Sequence, residues 1–150
     1  MNDPASKRWI QHSNDVLRRA GLRASAGRTA VVELLSRQTC LLTAQEIADQ
    51  LRADGSAGST ATVYRALETL HELGLVRRFD AEGTARYEPV DPSGDHHHHI
   101  VLDETGDVVP FDDAELERAI AGIGRRLGLV VTGHEIILRG RLIEEPPESD

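Results

Sequence analysis

Apolar residues in the first half of the chain recur at helical spacing, and turn-forming residues divide them into separate segments. In "SNDVLRRAGLR", Ser13 or Asn14 stands at a capping position and Gly21 at a stop. "SAGRTAVVELLSRQ" offers Ser25 as a cap and sets Val31, Leu34 and Leu35 on one face. "TAQEIADQLRADG" opens with Thr43 three residues before Glu46, the spacing at which two side chains satisfy each other's backbone N–H groups, and Ile47 and Leu51 follow one turn apart. "STATVYRALETLHELG" places Val63, Leu67 and Leu70 on a buried stripe and so turns Arg65 away from it.

After Gly74 the helical period gives way to short strand-like runs. "LVRRFD" and "TARYEPV" read as a β-hairpin turning at Gly83. Helices followed by a hairpin predict a winged helix-turn-helix over residues 1–90, and the prolines and glycine of "PVDPSGD" mark its end. Beyond that point "HHHHIVLD" and "DVVPF" predict paired strands across Thr105-Gly106, "DDAELERAIAGIGRRLG" a helix capped by Asp112 or Asp113, and "LVVTGHEIILRGRL" a further strand. The class is α+β: an N-terminal winged helix, then a small α/β unit over 91–143. The acidic, proline-bearing tail 144–150 reads as disordered. A unit of about 55 residues rarely buries enough apolar surface alone, so pairing with a second copy is expected, with Ile136, Ile137 and Leu138 available for the shared core.

Composition narrows the chemistry. No apolar run approaches the roughly 18 residues of a membrane span and the N-terminal residues lack a signal-peptide core, so a cytoplasmic protein without a membrane partner is expected. The single Cys40 rules out an intramolecular disulfide and a four-cysteine zinc site, leaving metal to His and carboxylate. The net charge of -8 argues at first against nucleic acid. Its distribution argues otherwise: residues 1–83 carry 11 Lys+Arg against 10 Asp+Glu, whereas 84–150 carry 6 against 15.

The first half therefore suits an anion. In a helix-turn-helix the second helix enters the major groove while its neighbours hold phosphates. On that logic Tyr64 and Arg65 are the candidates for base or backbone contact, Ser59 and Thr62 donate to phosphate, and Arg23 and Arg28 are supplied by earlier helices. Winged helices also serve as protein-interaction modules, which is the alternative.

The second half suits a cation. His96, His97, His98 and His99 are consecutive. In a strand His97 and His99 share one face while His96 and His98 share the other, so one run can serve two metal sites. The plainer alternative is a solvated polyhistidine loop.

The "TVYR" of residues 62–65, its following Leu and Gly spacing, the Arg23-x-Ser25-x2-Arg28 stretch, "TAQEI" and the His run together resemble the ferric-uptake-regulator superfamily, from about Val16 to Arg139. The resemblance implies a homodimeric, metal-dependent transcription regulator, usually a repressor, whose winged helix binds palindromic operators when metal is present. It implies DNA roles for Tyr64 and Arg28. It also implies two metal sites: a hinge-region sensing site of Asp91, His97 and His99, with Glu88 a competing carboxylate, and a second site of His96, His98, Glu117 and His134. Two departures stand out. The family's structural cysteine pairs are missing, with Leu102 and Thr105 where the first pair would be, and a sensing histidine found in several branches is replaced by Leu41. Cys40 beside it is either a thiolate ligand or a small buried residue. Zinc is the first choice of metal and iron(II) or manganese(II) the alternatives. Rival functions are a hydrolase using the His/Asp cluster to activate water and a winged-helix regulator that ignores metal.

Overall fold

The computed structural model describes residues 3–38, 41–56, 58–81, 83–93 and 97–143. The chain forms two compact units, Met1–His96 and His97–Asp150.

In the first unit α1 spans Pro4–Arg19, α2 Ala26–Ser36, α3 Ala44–Ala53 and α4 Thr60–Glu72. A three-stranded sheet joins β1 (Leu42–Thr43), β3 (Thr84–Pro89) and β2 (Val76–Ala81), in that order and all antiparallel. The caps of α2 and α3 are those the sequence signals, and Ser59 adds one for α4. Ser25 accepts from the Arg28 N–H at 3.5 Å and Ser59 from Thr62 at 3.2 Å. Thr43 accepts from Glu46 at 3.1 Å while the Glu46 carboxylate takes the Thr43 N–H at 2.7 Å. Gly83 closes the hairpin at φ 77, a conformation costly for a side chain with Cβ.

α1 departs from expectation: it begins at Pro4, not after Ser13. Proline is preorganised for the first helical position, and Trp9, Ser13 and Leu17, each one turn apart, form the buried stripe that holds the extra turns. Ser13 is thus an interior residue and no cap. Leu34, Leu35, Val31, Ile47, Val63, Leu67 and Leu70 are at most 1 % exposed and form the centre of one hydrophobic core.

In the second unit β4 (His98–Leu102) is central, flanked by β5 (Val108–Phe111) antiparallel and β6 (Ile137–Gly140) parallel. The parallel pairing requires a crossover, which α5 (Ala114–Leu127) supplies. Asp113 caps α5, accepting from the Glu115 and Leu116 N–H groups at 2.9 Å each. The strand expected over 129–142 shrinks to Ile137–Gly140: Gly128 ends α5 in the left-handed conformation, and the chain carries no regular structure again until Ile137. No described helix is long and apolar enough to cross a membrane.

Candidate metal centre and nucleic-acid interface

The candidate nucleic-acid residues gather on the first turns of α2 and α4. Tyr64 is 52 % exposed although its neighbours Val63, Ala66 and Leu67 are buried, so the core stripe of α4 leaves its opposite face to solvent. Arg65 lies on that face, its guanidinium 3.4 Å from the Thr62 hydroxyl. Ser59 and Thr62 hydroxyls are 3.1 Å apart at the helix start. Gly27 of α2 packs so closely here that a Cβ on it would come within 2.5 Å of the Thr62 methyl, which brings the first turn of α2 against that of α4. Arg28 follows, and its guanidinium donates to the Arg23 carbonyl at 3.0 Å. That bond ties down the segment before α2, a positioning role the sequence did not signal. Arg23 itself is exposed.

The candidate metal ligands of the second unit come from β4, α5 and the segment after α5. His98 is 2 % exposed, and its Nε2 hydrogen bonds the Glu117 carboxylate. His134 Nε2 lies 3.2 Å from the same carboxylate. The donor atoms of His98, Glu117 and His134 all fall within 4.8 Å of one another. A tetrahedral ion with ligands at about 2.1 Å would set them about 3.4 Å apart, so to hold one His98 and Glu117 exchange their hydrogen bond for a wider spacing. Two imidazole nitrogens and one carboxylate oxygen match the preferences of zinc, iron(II) and manganese(II). The ring of Phe111 lies 5.5 Å from that of His98 and walls one side. Glu117 sits in the first turn of α5, where the helix dipole favours a negative charge.

Of the four residues expected at this second site, three are therefore adjacent, and His96 lies outside the described residues, as does Cys40. The sensing-site candidates are distributed over both units. Asp91, in the first, accepts from the Ser93 N–H at 2.8 Å and from its hydroxyl at 2.7 Å. Glu88, also in the first, is 8 % exposed and lies 3.9 Å from Arg77 across the hairpin. His99, in the second, is 1 % exposed, whereas His97 is exposed with Nδ1 3.7 Å from Asp112. The sequence suggests for Asp112 only a possible capping role; Asp113 takes that task, and Asp112 lies 3.7 Å from His97. Both faces of β4 bury a histidine, so strand alternation alone does not separate a wet site from a dry one.

The profile of the Ferric uptake regulator family matches residues 19–139. The chain belongs to the ferric uptake regulator family. It is similar to the ferric uptake regulation protein of Pseudomonas aeruginosa, 33% identical over 126 residues, which cover 83% of this chain and 93% of that protein. The Brucella abortus ferric uptake regulation protein is 33% identical over 139 residues, covering 92% and 95%. Among solved structures, the Vibrio cholerae ferric uptake regulator superposes with a TM-score of 0.75 at 30% identity, over 86% of this chain and 98% of that one. The Pseudomonas aeruginosa regulator, solved with manganese, gives 0.75 at 31%, over 87% and 97%. Ferric uptake regulator proteins are metal-responsive, DNA-binding transcription regulators, and this chain is one rather than an enzyme. The hydrolase reading falls with that assignment.

Proposed function

We propose that this regulator represses genes of metal homeostasis from the cytoplasm, binding palindromic operator DNA as a homodimer when its metal is bound. The observation that carries the reading is the pairing, in one chain, of an exposed α4 face with a clustered His98, Glu117 and His134. The working division assigns residues 1–90 to DNA and 91–143 to metal binding and dimerisation.

His96, His98, Glu117 and His134 hold one metal ion in this reading. Asp91, His97 and His99 hold the sensing ion. Asp112 joins them on the strength of its approach to His97, while the burial of Glu88 against Arg77 favours Asp91 as the hinge carboxylate. The ion supplies a fixed positive charge that gathers these ligands. The chain supplies the response: drawing together residues on either side of the 90–97 hinge selects, from the arrangements apo dimers sample, the one whose two α4 helices match successive major grooves. A hundredfold preference for that state corresponds to about 2.7 kcal/mol, sufficient for a switch. Zinc is the first choice, with iron(II) and manganese(II) behind it. Dimerisation is supported by the apolar side chains that the second unit leaves exposed, among them Ile123, Leu127, Val130 and Leu138.

The test is fluorescence anisotropy on a duplex selected from a random pool with metal-loaded protein, repeated on apo, zinc, iron(II) and manganese(II) forms. Binding is expected only with metal, and His97→Ala is expected to remove the metal stimulation while leaving a folded dimer. His97 is the appropriate variant because His99 is fully buried and its removal leaves a cavity. Equal affinity for apo and metal-loaded protein would overturn the reading.

A further inference from the structure

The stretch of chain that returns from α5 to β6 fixes where His134 falls. Glu117 and Gly124 stand seven residues apart on α5, two turns, and so share one face of the helix. At the helix end Gly128 takes the left-handed conformation; the Leu129 N–H donates to the Gly124 carbonyl at 2.9 Å and the Gly128 N–H to that of Arg125 at 3.3 Å. This pair of bonds reverses the chain onto the helix it has just left. Gly124 is the one buried residue of α5, and a Cβ on it would stand 3.0 Å from the Leu129 carbonyl oxygen and 2.9 Å from a Val131 methyl.

The returning segment is held again at His134, whose Nε2 lies 3.2 Å from the Glu117 carboxylate, and at Ile136, whose carbonyl accepts from the His99 N–H at 3.2 Å. Its length leaves little slack. From Gly124 back to Glu117 the helix rises about 10.5 Å, at about 1.5 Å per residue. From Val131 to His134 the chain reaches at most about 10 to 11 Å when extended. A segment that meets α5 at Gly124 and again at Glu117 therefore runs almost straight along the helix face, and its height above Gly124 is passed on to His134.

We propose that Gly124 is a positioning residue of the metal centre: having no Cβ, it lets the returning segment lie close on α5, and that closeness brings the His134 imidazole to the Glu117 carboxylate beside His98. This rests on the reading of His98, Glu117 and His134 as metal ligands. A side chain at position 124 lifts the segment where it crosses the helix, and with little slack to absorb the lift the His134 ring moves away from the other two donors. Helix formation pulls the other way, since glycine is a poor helix former and alanine or leucine in its place favours α5. Lost metal affinity without lost helix separates a positioning role from a merely structural one.

The experiment titrates zinc, in competition with a chelating indicator, into the full-length His97→Ala protein, whose sensing site is disabled under the proposed function. Gly124→Leu is expected to weaken zinc binding at least about tenfold, the scale seen when groups that orient a metal ligand are changed, with helix content by circular dichroism undiminished. Gly124→Ala is expected to weaken it by less, about two- to fivefold. Adding Val131→Ala, which removes the methyl that the new Cβ meets, is expected to recover most of that loss. His134→Ala is the reference and is expected to cost at least as much as Gly124→Leu. Unchanged zinc affinity in Gly124→Leu beside a weakened His134→Ala would overturn this inference alone, as would a Gly124→Ala loss that Val131→Ala leaves in place. Should Gly124→Leu lose helix, the Gly124→Ala pair decides. If His134→Ala binds zinc like its parent, the reading of this cluster as a metal site itself fails.

Discussion

The two units solve the same problem by different means. The first buries a continuous core drawn from four helices and a hairpin, with Trp9, Leu34, Ile47, Leu67, Leu70 and Tyr87 all inside it. In the second, Val101 is the one buried large hydrophobic among the described residues, and the other buried side chains of β4 are His98 and His99. Apart from Leu22 and Tyr64, every large hydrophobic found exposed belongs to the second unit. α5 is amphipathic yet Gly124 is its one buried residue, so much of its apolar stripe is left partly or fully exposed among the described residues. A domain that places imidazoles where aliphatic side chains normally sit gives up hydrophobic stabilisation at about 25 cal/mol per Å² and must recover it by other contacts. In the proposed function, metal and a second copy are the sources of that recovery.

The contrast can be broken by substitution. Leu67→Ala removes a fully buried side chain of α4 and is expected to cost about 3 kcal/mol in the first unit, read by chemical denaturation, while metal stoichiometry stays unchanged. A loss below about 1 kcal/mol would mean that this core is far looser than its burial indicates. Leu138→Glu, at a β6 position already 46% exposed, is expected to leave the first unit's unfolding transition in place and to weaken dimerisation at least about tenfold, or about 1.4 kcal/mol, in sedimentation equilibrium. An unchanged dimerisation constant would remove that strand from the shared interface.

Legibility in the sequence followed the same divide. The first unit obeyed local rules: capping residues at fixed offsets placed α2 and α3, the Val63, Leu67 and Leu70 stripe placed α4, and Gly83 placed the hairpin. It misled where a polar residue served the interior, as Ser13 does on α1, and the two-residue β1 gave no period to detect. In the second unit Gly128 cut short a run whose apolar content alone read as strand. The approach of His134 to Glu117 across 17 residues was legible only through resemblance, because no local period joins a helix start to a later segment. Asp112 beside His97 and the bond from Arg28 to the Arg23 carbonyl depend on tertiary placement and carried no sequence signal.

Under the proposed function, metal and DNA bind this regulator cooperatively. Coupling between two ligands is reciprocal, so whatever factor zinc adds to DNA affinity, DNA must add to zinc affinity. Zinc titrated calorimetrically into the free protein and into its complex with the selected duplex measures this directly. A zinc affinity at least about tenfold tighter in the complex is expected, and equal affinities in the two titrations would mean that the metal does not act on DNA binding at all.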